Sequence, residues 1–398
     1  PTHGLFIGST GTFNVLNYEP GAIPVCASPT PTASQTPSTT ATPPMTPAGT
    51  PAMTPASTPA TTPAGTPATT PAGTPAMTPA VTPTPTPTMP FYDIFDNALW
   101  ADNWAGTLYT PPSSGAPASS GVLATSIRLN PDDIYVSEPD NAVFIADSVA
   151  NVVYAVTLIA PNKVTVIAGT GATGCSRATG SFFHASAAEL DTPTHVVSDG
   201  AGMVYISDRK NFCVRRVELA RDAMDTWAGT CCVWGPPGMR DGVRATSVSL
   251  PDVGALAVYP PTRDLYFVSE GHLEHVFYVD SRTGLLQYAY NGGGIPSGIG
   301  GIVFDGTGLL VGTDADRCLV WGFPDPHSEV LVAGTSCGGP LPTGPTPALS
   351  ASFGTPRAIG YDFGHHVLYF TTDDGVTLAL TDVLGSPMIH PSVGNTVG

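Results

Sequence analysis

The sequence predicts an all-β protein: a ring of small four-stranded sheets joined to an extended polyproline II arm. Three observations in the 398 residues predict it. A six-residue apolar phrase ending in an acid returns five times between residues 142 and 373. An Ala-Gly-Thr phrase follows several of these units. Ahead of both, a Thr-Pro pair recurs every four residues from Thr46 to Thr82, ten times in register.

The arm comes first in the chain. Proline at every fourth position removes amide donors and fixes φ, so neither a helix nor a sheet ladder survives. Polyproline II remains, with three residues per turn. Four residues then advance one turn and a third, so successive threonines point about 120° apart and cover all sides of the rod. Thr/Ser with Pro is the composition of O-glycosylated stalks. The glycan candidates are Thr46, Thr50, Thr54, Thr58, Thr62, Thr66, Thr70, Thr74, Thr78 and Thr82. The plainer reading is an unmodified flexible linker. Extended at about 3.1 Å per residue, residues 27–90 span roughly 200 Å.

The repeated phrase reads Ala142 to Asp147, Met203 to Asp208, Leu265 to Glu270, Leu309 to Asp314 and Leu368 to Asp373. Its acids lie 61, 62, 44 and 59 residues apart. The second phrase reads Ile167 to Thr170, Trp227 to Thr230 and Val332 to Thr335, with a weaker Tyr290 to Gly293 in the equivalent place. Between the phrases lies an apolar run such as Val214 to Leu219, and before each unit lies another, such as Thr194 to Ser198. Four short strands per unit, at a long fixed period and with Gly, Pro and Asp turns, describe the blades of a β-propeller. The longer units are expected to place their extra residues in loops on one face.

Val204 to Leu219, with the following Trp-Ala-Gly-Thr and the run Gly238 to Asp252, resembles the NHL-repeat family of β-propellers. The resemblance covers roughly residues 98–385. It implies a β-propeller of NHL type with five full blades, and says little about activity, because this fold hosts many. The Thr/Pro tract resembles hydroxyproline-rich cell-surface glycoproteins. That resemblance implies hydroxylation, with attached sugars, on Pro47, Pro51, Pro55, Pro59, Pro63, Pro67, Pro71, Pro75, Pro79 and Pro83.

Trp104 to Thr107 also matches the blade-ending phrase, so a strand over 99–107 is expected to pair with the last unit and close the ring. Gly4 to Ser28 reads like Gly308 to Cys337 with the acid replaced. It is a blade-like fragment separated from the ring by the rod, and it fits a sixth slot in cis or a neighbouring molecule in trans. The expected organisation is a blade-like segment over 1–26, a rod over 27–90 and a propeller over 91–398.

Seven cysteines occur. Cys213 and Cys232, like Cys318 and Cys337, are 19 apart and hold equivalent places in their units, so both pairs are expected as disulfides. Cys175 then remains for Cys231, and Cys26 is left unpaired or intermolecular. Buried free thiols are the alternative. Disulfides and a sugar-coated rod together place the chain outside the cell.

The formal charge is −17, from 14 basic and 31 acidic residues, which opposes nucleic acid or anionic membrane as partners. No apolar run approaches the length of a membrane span, and no Asn-X-Ser/Thr sequon occurs. The repeated acids suggest turn-capping carboxylates rather than a reactive ring. His195, His272, His275, His365 and His366 occupy non-equivalent places, which suits surface or turn histidines better than a metal site. Gly169 to Gly174 is a glycine turn without the strand-to-helix context of a phosphate loop. Neither a catalytic residue, a metal ligand nor a cofactor is assigned.

Three functions remain in view. The first is a structural extracellular glycoprotein, self-associating into a surface filament, appendage or wall layer and carrying covalent O-glycans. The second is a binding module for protein or glycan, held out on a stalk. The third is a metal-dependent propeller lyase or lactonase.

Overall fold

The computed structural model describes residues 5–9, 14–19, 100–105, 120–176, 183–235, 241–269, 275–290, 298–383 and 385–393. The chain divides into two units, one of Pro1–Gly21 with Phe95–Gly398 and one of Ala22–Ile94. The second unit holds the whole Thr/Pro repeat and lies outside the described residues, as do Cys26 and His272.

The first unit is all β, with five full blades and a further three-stranded sheet. That sheet is β1 (Leu5–Ser9), β2 (Asn14–Glu19) and β3 (Trp100–Ala105), in that order. Blade one is β4 (Pro131–Ser137), β5 (Ala142–Asp147), β6 (Val152–Thr157) and β7 (Val164–Ala168). Blade two is β8 (Phe183–His184), β9 (Pro193–Ser198), β10 (Met203–Asp208), β11 (Cys213–Glu218) and β12 (Ala223–Ala228). Blade three is β13 (Val243–Arg244), β14 (Val253–Tyr259), β15 (Asp264–Ser269), β16 (His275–Val279) and β17 (Leu285–Tyr290). Blade four is β18 (Ile299–Phe304), β19 (Leu310–Asp314), β20 (Leu319–Asp325) and β21 (Ser328–Ala333). Blade five is β22 (Thr346–Pro347), β23 (Pro356–Asp362), β24 (Val367–Thr372), β25 (Thr377–Thr381) and β26 (Met388–Val393).

Among the described residues every pairing between named strands is antiparallel, and the inner strands β4, β9, β14, β18 and β23 pack one against the next in chain order. A bulge recurs where each inner strand meets its second strand, as between Ser207 and Asp208 or Ile299 and Ile302. Bulges sharpen the right-handed twist that successive blades need to pack. The cores lie between blades. Val197, Tyr205 and Val214 of blade two meet Leu256, Phe267 and Phe277 of blade three, and the interfaces of blades one and two, three and four, and four and five are built alike.

The Ala-Gly-Thr phrase has a steric cause. Gly229 and Gly334 sit at φ +89° and +100°, and a Cβ there would stand 2.6 Å from the Phe212 carbonyl and 2.5 Å from that of Cys318. The freed space lets each glycine amide donate to an alanine carbonyl in the next connection, Gly229 to Ala245 at 3.0 Å and Gly334 to Ala348 at 2.9 Å. Only glycine tolerates this conformation at such close approach.

Two expectations are corrected. The strand at 100–105 pairs with β2, not with the last unit, and blade five takes its own outer strand, β26. Of the two places open to the N-terminal hairpin, it occupies a sheet with β3 of the same chain. The long connections are not merely loops on one face. Each lays a short segment along an outer strand: β8, β13, β22, and the bridge from Leu123 to Lys163. An outer strand otherwise presents an unpaired edge, so the extra length covers it.

Candidate functional site

The second strands end, and the inner strands begin, on one face of the ring. The repeated acids sit there, and each holds backbone. Asp147 accepts the amides of Asn130 at 2.9 Å and Ala150 at 2.8 Å. Asp208 accepts the amide of Asp191 at 2.8 Å, with Asn211 Nδ2 and Arg215 Nε both at 2.9 Å. Asp314 accepts from the Arg317 amide at 3.0 Å and from Trp321 Nε1 at 3.2 Å. Asp373 accepts the Thr355 amide at 2.8 Å. In three blades the acid thus pins the residue just before its own inner strand, or one before it. Burial pushes the carboxyls of Asp147, Asp208 and Asp314 up, and at Asp208 the Arg215 charge pulls the other way. Glu270 lies outside the described residues.

Toward the axis the first residues of the inner strands converge. The Val196 amide of β9 donates to Asp133 of β4 at 3.0 Å, and desolvation raises the Asp133 carboxyl to about 7. His195 has Nδ1 at 3.2 Å from Thr194 Oγ1 and hydrogen-bonds the Gly300 backbone of β18, two blades on. Desolvation drops its imidazole to about 4. Next to Asp133, Asp132 accepts the Ser148 amide at 2.9 Å. Arg209 Nε and Lys210 Nζ both stand 3.2 Å from Asp252 Oδ2. At neutral pH this mouth holds a neutral imidazole, a carboxyl near its midpoint and a small cation–carboxylate cluster.

The other histidines do not join it. His365 and His366 lie between β23 and β24, with His365 Nδ1 at 2.7 Å from Asp362 and His366 Nδ1 at 3.2 Å from Tyr361 Oη. His275 packs edge-on against Phe277 and Tyr288. Among the described residues no group of three or more His, Cys, Asp or Glu is arranged to hold a metal ion.

Three disulfides cross the same face: Cys318–Cys337, Cys213–Cys231 and Cys175–Cys232. The pairing around the adjacent cysteines therefore differs from the expected Cys213–Cys232 and Cys175–Cys231. Both residues take positive φ, +29° at Cys231 and +62° at Cys232. The buried Cys231 turns inward to Cys213, and the half-buried Cys232 reaches out to Cys175. Equal spacing to Cys318–Cys337 misleads, because this unit carries a second cysteine one residue earlier.

Asp132, Asp133, Arg209 and Lys210 escaped the sequence reading. Their one signal was two acids directly after Pro131 at the head of an inner strand. The candidate threonines and prolines of the rod lie outside the described residues.

No family model and no curated relative matches the chain. Solved structures of similar architecture do. A chain of a nidogen/laminin complex is 13% identical with a TM-score of 0.45, over 67% of this chain and 82% of that one. A gluconolactonase from Xanthomonas campestris is 12% identical with a TM-score of 0.42, over 65% and 75%. An auxiliary nutrient binding protein from Bacteroides thetaiotaomicron is 10% identical with a TM-score of 0.46, over 66% and 56%. These likenesses are distant, and the propeller architecture stands on the strand pairing itself.

Proposed function

We propose that this protein is a structural extracellular glycoprotein, a subunit of a surface filament, appendage or cell-wall layer, with the ring as bead and the Thr/Pro tract as sugar-coated connector. The observation that carries this reading is the Thr-Pro register from Thr46 to Thr82, which puts a hydroxyl on every side of a polyproline II rod. The repeated carboxylates are engaged by turn amides and serve the fold. Three disulfides suit an oxidising setting. With only 11% charged residues, the chain gains hydration from sugars. Membership of the NHL-repeat family and hydroxylation of Pro47 and its fellows belong to the same reading.

The intact mass of the native protein tests it. The expected result is an excess over 40.8 kDa in sugar increments that map to residues 27–90. A mass equal to the bare chain eliminates it. Deleting 27–90 is expected to abolish assembly and leave the ring folded.

A second reading, a binding module, is favoured by Trp234, 64% exposed on the disulfide-bearing face beside exposed Val233. An isolated ring that still captures its partner would support it over the first. A metal-dependent lyase or lactonase is the third reading, and metal analysis of the purified protein tests it.

A further inference from the structure

Four of the five full blades cover the edge of their outer strand in one way. In three of them two residues of the preceding connection pair with that strand: Phe183 and His184 with Met224 and Ala223, Val243 and Arg244 with Leu286 and Leu285, Thr346 and Pro347 with Ile389 and Met388. The alanine that follows then donates its amide to the carbonyl just before the strand. Ala185, Ala245 and Ala348 reach Asp222, Gly284 and Pro387 at 3.0, 3.0 and 2.8 Å. In blade one Leu123 bridges to Lys163, and the Ala124 amide reaches the Asn162 carbonyl at 2.9 Å. All four alanines are buried.

Blade four has no such cover among the described residues, and its sheet stops at β21. The connection that enters it is residues 291–298, against 169–192, 229–252 and 334–355 elsewhere, and it contains no alanine. Its length allows a reach of about 28 Å. Passing to the next blade takes about 10 Å, and rounding β21 to return to β18 crosses four strand spacings, about 19 Å. No residue is left over to pair. Val330 on β21 is 51% exposed, and no other outer strand of the five full blades bares a large apolar side chain.

The open edge carries charge. Val330 aligns with Gly322 as Asp225 aligns with Arg216, so Glu329 takes the place that Met224, Leu286, Ile389 and Val164 fill in the other blades, all wholly buried. The irregularity beside it adds its residue to β20, so β21 keeps its own alternation. At the equivalent Val164 the amide donates to Val122 at 3.0 Å and the carbonyl accepts from Gly121 at 2.7 Å, both across the outer edge. Glu329 thus turns its backbone to the open edge. Its exposed carboxylate accepts from Tyr290 Oη of blade three, and Asp325 adds a second exposed carboxylate at the turn before β21.

We infer that the β21 edge docks an extended segment of another protein, with Lys or Arg opposite Glu329 and a small residue two places later. Strand addition to an exposed sheet edge is an established mode of peptide recognition. The covers of blades two, three and five define the form: one residue opposite the Glu329 position, one opposite Ser328, then a small residue whose amide reaches the His327 carbonyl. Glu329 sets the charge, because opposite charges facing across an antiparallel pair attract and like charges repel. A second copy of β21 would bring two Glu329 carboxylates together, in a chain of formal charge −17, so the edge selects against its own kind. The same charge guards the edge against apolar strands. The site does not rest on the rod or its sugars, and the intact-mass result bears on neither of its outcomes.

The full-length protein and a synthetic peptide test this. The peptide is residues 242–250 of this chain with Val243→Lys, which keeps the cover seen in blade three and sets a Lys opposite Glu329. It is expected to bind in a fluorescence anisotropy titration and to slow hydrogen exchange across Ser328–Val330. The same peptide with Val243→Glu is expected to bind about tenfold more weakly. The Glu329→Lys protein, its fold checked by its thermal midpoint, is expected to reverse that order. No binding of the Lys peptide at millimolar concentration would show that Glu329 only guards the edge, and would overturn the docking site. Equal binding of the two peptides, an order that Glu329→Lys leaves unchanged, or protection at Leu285 and Leu286 instead of Ser328–Val330 overturns it too. So do Ser328–Val330 amides that are already protected in the free protein, since the edge is then covered from within.

Discussion

Arg215 and Asp208 meet at 2.9 Å, guanidinium Nε to carboxylate, with both side chains wholly removed from solvent. Arg215 also donates to Thr226 Oγ1 at 3.2 Å and lies 3.9 Å from the sulfur of Cys175. One residue of an "Arg-Arg" strand thus locks the second blade's turn, its outer strand and a disulfide together. Its neighbour Arg216 points the other way, to Asp225 at 2.5 Å and over the Trp227 ring at 4.1 Å.

Replacing Arg215 by Met leaves a buried carboxylate without its partner, a change that costs about 3–5 kcal/mol. A lowered urea midpoint with unchanged slope is the expected readout. Arg216→Met, at a quarter-exposed pair, is expected to cost about 1 kcal/mol or less. Equal losses from the two would contradict the assigned roles.

Gly229→Ala and Gly202→Ala separate backbone strain from collision. Both glycines have nearly the same φ, +89° and +88°, but only at Gly229 would the new Cβ meet backbone. Gly202→Ala is expected to cost about 1 kcal/mol and Gly229→Ala distinctly more. Chemical denaturation of the pair decides it.

The two axial groups predict opposing pH slopes. Asp133 is raised to about 7, so the folded state holds its proton more tightly and its contribution to stability falls as pH rises from about 4 to 7. His195 is lowered to about 4, so its contribution rises from about pH 4 to 6.5. Asp133→Asn is expected to show stability climbing with pH over 4–6.5 relative to the parent, and His195→Gln the reverse. Denaturant midpoints across that range provide the check.

Digestion without reduction is expected to yield peptides linked Cys213–Cys231 and Cys175–Cys232. The second closes a loop of 57 residues against 18 for the first. On the loop-entropy model it stabilises by about 4 kcal/mol against about 3. Cys175→Ser with Cys232→Ser should therefore lower the thermal midpoint more than Cys213→Ser with Cys231→Ser.

Much of the ring was legible because its devices are local. Asp208 ends a strand and turns it whatever lies beyond, and Gly229 answers to atoms seventeen residues back. The axial cluster was not legible. Asp133, His195 and Gly300 come from three blades, and nothing in their local patterns marks them as neighbours. The pairing of Cys231 and Cys232 was hidden for a different reason, since adjacent residues on a turn point to opposite sides and spacing cannot tell which.

By itself the sequence determined the blade, because short apolar runs, a turn-capping acid and a positive-φ glycine act within some sixty residues. It also sets the expectation of an extended polyproline II tract over 27–90, since proline restricts its own backbone. Tertiary structure alone decided that Trp100–Ala105 joins an N-terminal hairpin some eighty residues upstream, and that the sheet so formed has no inner strand among the described residues. Strand partners across such a distance are chosen by edges and packing faces that exist only once the ring has formed.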